Sequence, residues 1–561
     1  MSESTSQPVS GGQILVDALV CNGVDTVYCV PGESYLPVLD ALYDAPGVRT
    51  ITARHEGAAS NMADAYGKLT GRPGICFVTR GPGATHASNG VHTASEDSTP
   101  MILFIGQVER GFIGRGAFQE IDFRQMFGGI AKWVAEVDSI ERIPEMVARA
   151  FSTALSGRPG PVVVVLPQDI LFDSIAAAPP NAALAAMPAV PAAPGARALG
   201  DLRALLEGAA RPLAIVGGTG WDADARAALK RFIHANSLPL AVSFRRQSLF
   251  DNRDVHYIGS LGLGLSPRLA QRAREADLLI VIGSRLSETS SVGYTLFESP
   301  RPQQTMVHVY PDAAELGRVY QARLQVHSSV RAFVLALDTV TPVASAVRQR
   351  WQGWMEAARA DYVAYSTPQP ASPEMAGVDL AQVVGYLSEV LPDDAVIANG
   401  AGNYTVWVHR FYRYRSAGTQ LAPVNGAMGY GLPAAIAAKI SNPERDVVCF
   451  AGDGCFMMYP QELATAMQLG APLVLIVVNN AMLGTIRMHQ ERKYPGRISA
   501  TQLVNPDFVS LAHAFGAHAE RVERTEDFPA AFERARLAGV AALIELRTDP
   551  LQLTPSSRLR A

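Results

Sequence analysis

Short runs that are apolar at every position alternate with longer segments in which apolar residues return every three or four positions. This alternation repeats in three successive blocks of the chain. In the first block DTVYCVPG, VRTITARHE, GICFVTRGPG, PMILFIGQ and GPVVVVLPQD read as strands, with GQILVDALVCNG and ASNMADAYGKLTG as helices between them. In the middle block RPLAIVGGTG, LPLAVSF, ADLLIVIGSRL and MVHVYPD do the same, and in the third AVIANGAGN, RDVVCFAGDG, APLVLIVVNN and ALIELRTD. A run without polar alternation belongs to a strand covered on both faces, the habit of parallel sheets. The pattern predicts an α/β chain of three doubly wound parallel-sheet domains, with ligands at the carboxyl ends of strands.

Two stretches lack either periodicity. Ala176 to Ala198 is dominated by Ala and Pro, and Ser366 to Met375 reads STPQPASPEM; both are expected to be linkers. They set domains at residues 1–175, 199–345 and 376–555. At 561 residues the chain exceeds what one core supports. A hydrophobic share of 48%, a charged share of 18% and a net charge of −4 are globular values. No Lys/Arg run or zinc-finger spacing suggests a nucleic-acid partner. No apolar stretch reaches the ~18 residues of a membrane span. MSESTSQPVSGG has neither the basic nor the apolar region of a secretory signal. The five cysteines are scattered and form no CxxC, which predicts buried thiols in a cytoplasmic protein.

The richest chemistry lies between Asp453 and Asn480. An apolar run from Val447 ends in Gly452-Asp453-Gly454; Leu463, Ala466 and Met467 follow at helical spacing, with Gly470 as C-cap; Leu473 to Val478 are again apolar. This is a βαβ unit, whose crossover is expected to be right-handed. Asp453 and Asn480, 27 residues apart, are then brought to the carboxyl ends of two parallel strands. A carboxylate and an amide oxygen are hard ligands suited to Mg²⁺ or Ca²⁺. The glycines let a ligand approach the backbone.

GDG followed at this distance by Asn resembles the diphosphate motif of thiamine diphosphate enzymes. The segment from Arg54 to Val108 is similar to the acetolactate-synthase pattern throughout. The resemblance implies pyrimidine-binding, central and diphosphate-binding domains, in that order. It implies thiamine diphosphate and Mg²⁺ as cofactors, with the side chains of Asp453 and Asn480 and the carbonyl of Met482 as metal ligands. Gly454 and Cys455 are then expected against the diphosphate, Gly452, Leu483 and Gly484 at the cofactor, and Ala401, Gly402, Asn403 and Tyr404 of NGAGNY at the diphosphate and pyrimidine. In NGAMG, Gly426 and Met428 match the segment whose apolar wedge folds the cofactor. Glu56 matches the carboxyl that hydrogen-bonds N1′ of the pyrimidine, and a raised pKa is expected to suit it to that role. Pro82, in the loop from Arg80 to Thr85, lines the substrate side, and Phe118 and Gln119 are candidates beside the reacting group. His86 and His92 are read as structural rather than as proton shuttles. Glu56 and Asp453 lie in different domains, and the resemblance implies a site built across a subunit interface. The expected assembly is at least a homodimer, with a homotetramer favoured.

The activity implied is decarboxylation of a small-molecule 2-oxo acid, with carboligation of the remaining fragment to a second carbonyl. The alternatives are a simple 2-oxo acid decarboxylase, a 2-hydroxyacyl-CoA or benzoin-type lyase, and a non-enzymatic cofactor-binding regulator. Retention of Glu56 argues against the last. Some positions depart from the acetolactate-synthase pattern: Gln168 replaces a Lys, Ala481, Met482 and Leu483 replace polar residues after Asn480, and His489 stands where an aromatic is expected. His489 and Gln490 are read equally as substrate contacts or as a solvated helix face. Gly217 to Gly220 and Gly283 to Arg285 faintly resemble a flavin site, but FAD is not favoured, because Leu286 to Thr289 replace the expected acidic tail.

Overall fold

The computed structural model describes residues 8–176, 184–370 and 375–559. Parts of both predicted linkers, 177–183 and 371–374, lie outside the described residues. The chain divides into two compact units. One contains the chain up to Val190 together with Leu432–Ser441 and Tyr459–Ala471; the other contains the remainder.

In the first unit β1 (Val9–Ser10) precedes a six-stranded sheet. Its strands are β2 (Thr26–Cys29), β3 (Arg49–Thr52), β4 (Gly74–Val78), β5 (Met101–Gln107), β6 (Trp133–Glu136) and β7 (Pro161–Pro167), in the order β3-β2-β4-β5-β7-β6, all parallel. A short β8 (Ser174–Ile175) returns antiparallel to β1. Every residue of β5 and of the valine-rich β7 is buried, as helices on both faces require. Helices Glu56–Thr70 and Gly81–Asp97 approach closely because Gly90 has no side chain: a Cβ there would lie 2.3 Å from Ser60 Oγ. Gly81–Asp97 is a correction, since the glycine-proline stretch after Arg80 was expected to be a tight turn and instead opens a helix with Pro82 in its first turn.

The second unit holds two further parallel sheets. The central one contains β9 (Pro212–Val216), β10 (Leu240–Val242), β11 (Tyr257–Ser260), β12 (Leu278–Ile282), β13 (Thr305–Tyr310) and β14 (Leu324–His327), in the order β11-β10-β9-β12-β13-β14. This is the strand order of dinucleotide-type doubly wound folds. Helix Ser345–Ser366 adds Trp351 to its core and ends at the first residue of the second predicted linker. The last sheet contains β15 (Val396–Asn399), β16 (Gln420–Leu421), β17 (Val447–Gly452), β18 (Val474–Asn479), β19 (His518–Val522) and β20 (Ala542–Arg547), in the order β16-β15-β17-β18-β20-β19. A hairpin of β21 (Gln552–Thr554) and β22 (Ser557–Arg558) follows. The first and last sheets therefore share one topology. Among the described residues no helix is long and apolar enough to cross a membrane.

Candidate cofactor site

In the first unit Glu56 is the first residue of its helix, one turn of chain beyond the end of β3. His55 is the N-cap, and its Nδ1 accepts the Gly57 N–H at 2.9 Å, which requires an unprotonated nitrogen. Glu56 Oε2 lies 2.8 Å from His86 Nδ1. The His55 and His86 rings stack at 4.5 Å, and Tyr459 packs on His55 at 5.1 Å. Burial, and then the His86 ring, hold His55 below its ordinary pKa. His86 thus touches Glu56, the carboxyl the sequence singles out in this unit, whereas His92 is exposed on the same helix.

Gly83 lies beside Glu56, since a Cβ there would come within van der Waals contact of Oε1 at 3.6 Å. Gln119 adopts a left-handed φ of 65°, and its carbonyl accepts the Gly81 N–H at 2.9 Å, so its backbone anchors the start of the Pro82 helix. Phe118, beside it, is 75% exposed. Sequence reading missed Glu462. Fully buried, it accepts the backbone N–H of Arg54 at 3.0 Å and the Thr465 hydroxyl at 2.7 Å, and burial raises its pKa. It thereby fixes the chain two residues before Glu56.

In the second unit β17 and β18 are adjacent and parallel, with Gly452 opposite Val478. Asp453 and Asn480 are the residues just past the two strands. Asp453 Oδ1 accepts the Gly454 N–H at 2.9 Å, and Oδ2 accepts Asn505 Nδ2 at 2.8 Å. The same Asn505 amide reaches Asn479 Oδ1 at 3.2 Å, and Asn479 donates to the buried Glu545 at 2.7 Å. Glu545 in turn accepts from Arg521 at 2.8 Å. This chain of polar contacts orients both strand ends. Asn505 carried only the faint sequence signal of an Asn-Pro pair, and Asn479 was eclipsed by its neighbour.

Asn480 Oδ1 accepts the Met482 N–H at 3.3 Å, and the Met482 carbonyl accepts from Gly484 at 3.0 Å, leaving it a second lone pair. Ala481 takes a left-handed φ of 54°, and Leu483 and Ala481 are clipped to Thr501 and Leu503 by backbone hydrogen bonds of 2.8 and 2.9 Å. Asn403 accepts the Thr485 hydroxyl at 2.9 Å, tying the NGAGNY segment to helix Gly484–Lys493. Tyr404 is buried; its hydroxyl accepts the Gly400 N–H at 3.1 Å and lies 3.4 Å from Cys455 Sγ. Cys455 also accepts the Gly429 N–H at 3.2 Å, so it is packed against the NGAMG turn. Ala401 is half-buried, and Gly402 and Gly426 have φ of 145° and 74°. A Cβ on Gly454 would lie 2.8 Å from Leu483 and 3.8 Å from the Met428 methyl, which brings three expected site residues into one neighbourhood beside Asp453.

The departures have local explanations. Gln168 accepts from Arg80, which also reaches Glu33 at 3.3 Å. Gln490 donates to the Ser499 carbonyl at 2.6 Å, while His489 is exposed. The central glycines serve backbone packing: a Cβ on Gly218 would lie 2.0 Å from the Gly283 carbonyl oxygen.

Burial holds the Asp453 carboxyl above the ordinary range, only partly offset by the Asn505 and Gly454 hydrogen bonds, and no cationic side chain pairs with it among the described residues. A buried carboxylate without a counter-charge, next to an amide oxygen and a free carbonyl lone pair, fits Mg²⁺ bound also by phosphate oxygens.

Family models match in the order expected. Residues 9–126 match the thiamine pyrophosphate (diphosphate) enzyme N-terminal TPP binding domain, 199–337 the central domain and 400–546 the C-terminal TPP binding domain. The chain is 33% identical to acetolactate synthase isozyme 2 large subunit of Escherichia coli, over 97% of this chain and 96% of that one. It is also 33% identical to the acetolactate synthase large subunit of Parasynechococcus marenigrum, covering 94% of this chain and 85% of that one. Identity to the mitochondrial acetolactate synthase catalytic subunit of Saccharomyces cerevisiae is 29%, over 96% and 81%. With three matching domains and whole-length relatives, the chain belongs to the thiamine pyrophosphate enzyme family.

Proposed function

We propose that this chain is a thiamine diphosphate- and Mg²⁺-dependent enzyme that decarboxylates a 2-oxo acid and joins the remaining fragment to a second carbonyl, as an acetolactate synthase-like carboligase. The observation that carries this reading is that Asp453 and Asn480 stand at the carboxyl ends of neighbouring parallel strands, with Gly454 beside them. The whole-length similarity to acetolactate synthases supports the reaction type.

Asp453, Asn480 and the Met482 carbonyl would hold the metal, whose charge would offset that of the diphosphate. Gly452, Gly454, Cys455, Leu483, Gly484 and the Ala401–Tyr404 segment would line the cofactor around its diphosphate, and Gly426 and Met428 belong to the segment that would fold it. Glu56 holds a proton at N1′ of the pyrimidine, and His86, 2.8 Å from its carboxylate, positions it. The bound cofactor supplies the carbon nucleophile and the electron sink for loss of carbon dioxide. Pro82, Phe118 and Gln119 orient the substrate and exclude water around the reacting carbon. Flavin has no part in this reading. The working unit is a cytoplasmic homodimer or homotetramer, as the resemblance implies for a site that draws Glu56 and Asp453 from different chains.

The test is a panel of 2-oxo acids with thiamine diphosphate and Mg²⁺, following carbon dioxide and 2-hydroxy ketones together. The expected result is both products in equal amounts, lost in Glu56→Gln. Release of carbon dioxide with aldehyde alone would replace the carboligase reading with a simple decarboxylase.

A further inference from the structure

Two histidines and an aspartate converge in the central domain and share no residue with the cofactor site. His234 lies in the last turn of helix Ala223–Asn236, and Asp254 and His256 belong to the turn that enters β11. Asp254 Oδ2 meets His234 Nε2 at 2.7 Å, and Oδ1 meets His256 Nδ1 at 3.1 Å. Oδ1 also accepts the His256 backbone N–H at 3.0 Å, and Lys230 Nζ stands 3.7 Å from Oδ2. The two imidazoles lie 4.4 Å apart at 46°. One ligand atom from each of the three residues falls within 4.8 Å of the others.

We propose that His234, Asp254 and His256 form a binding site for a divalent transition-metal ion of the zinc type, with three protein ligands and one open position. Two imidazole nitrogens and a carboxylate oxygen are a borderline donor set that selects Zn²⁺ or Co²⁺ over Mg²⁺. Metal–ligand bonds of about 2.0–2.1 Å set the ligand atoms of a tetrahedral site about 3.3 Å apart. Each imidazole now meets a different carboxylate oxygen, at 2.7 and 3.1 Å, so binding needs these edges to open by about 0.2–0.6 Å and the carboxylate to turn one oxygen toward the ion. The carboxylate is already oriented by a backbone donor, and its turn is closed by backbone hydrogen bonds from Asp254 to Asp251 and from Tyr257 to Asp254 at 3.1 Å each. His256 and Asp254 are buried, whereas His234 is 43% exposed and gives the ion an entry path. Lys230 is exposed on a flexible stem and moves to solvent when a cation replaces it. The bound ion would staple a helix to the turn before an edge strand.

The test uses the full-length, tag-free chain in saturating Mg²⁺ and thiamine diphosphate, freed of transition metals and titrated with Zn²⁺ against a chromogenic chelator and separately with Co²⁺. The expected result is a single equivalent of Zn²⁺ per chain, the visible ligand-field bands of four-coordinate Co²⁺, and a Zn²⁺-dependent rise in Tm. His234→Ala and Asp254→Asn should each weaken binding by at least about tenfold, the scale on which even outer partners of a metal site act. His234→Ala, altering a half-exposed side chain, decides the matter where Asp254→Asn fails to fold. No bound equivalent in the natural protein, or equal affinity in protein and variants, reduces the cluster to histidines hydrogen-bonded to a carboxylate and overturns the proposal.

Discussion

Asp453 has the surroundings that the proposed metal role requires. It is buried, without an ionic partner among the described residues, and its second oxygen is aimed by Asn505. Removing that amide leaves Asp453 in place but frees its rotation. Asn505→Ala is therefore expected to weaken Mg²⁺-dependent binding of thiamine diphosphate by about 10–100-fold, the usual effect of losing an outer partner. Calorimetric titration checks this, and an unchanged affinity would remove Asn505 from the site. His55 makes a second prediction. Its folded pKa lies below the ordinary 6.5, because burial and the His86 ring disfavour the charged form. As pH falls below 6.5 the unfolded chain takes up the proton before the fold does. Stability therefore declines through that window and levels off below the lowered pKa. His55→Asn keeps a capping acceptor and cannot titrate there, so its urea midpoint should fall less steeply, the remaining slope coming from the buried His308 and His409. An identical slope in both proteins would exonerate His55.

At the scale of elements, the contact that matters most is one between a strand end and a helix distant in sequence. Glu462, in helix Glu462–Gln468, caps the backbone just beyond β3. Glu462→Ala strands the Arg54 N–H in a part-buried setting and is expected to cost about 1–3 kcal/mol, read as a lower urea midpoint with an unchanged slope. Strand burial explains which elements were legible. The sequence pattern reveals the inner strands β2, β4, β5, β7, β9, β10, β12, β13, β15, β17, β18 and β20, nearly all of whose residues are buried. It also reveals the edge strand β3, through its alternating VRTIT, but passes over the other edge strands β6, β11, β14, β16 and β19. An edge strand has one neighbour and a wetter surface, so its apolar run is broken; β14 and β19 alternate burial and exposure.

At the scale of the molecule, the proposal that Glu56 and Asp453 serve one site from two chains makes a direct prediction. Glu56→Gln and Asp453→Ala should each be inactive alone. Refolded together in equal amounts, half of the dimers are mixed and each mixed dimer holds one intact site, so activity should recover to about a quarter of the natural value. No recovery, with mixed dimers demonstrated by mass, would confine the site to a single chain.

What the sequence determined by itself was local. Inner strands were visible because full burial demands unbroken apolar runs. The proposed metal-binding pair was visible because Asp453 and Asn480 are short polar residues at the ends of such runs, at the spacing of one βαβ unit. Tertiary structure alone decided the strand orders, including the topology shared by the first and last sheets, because alternation of strand and helix is the same for every order. It also decided the partners of the site. Glu462, Asn505 and His86 act through contacts with residues 408, 52 and 30 positions away, and no periodicity encodes a meeting of that kind.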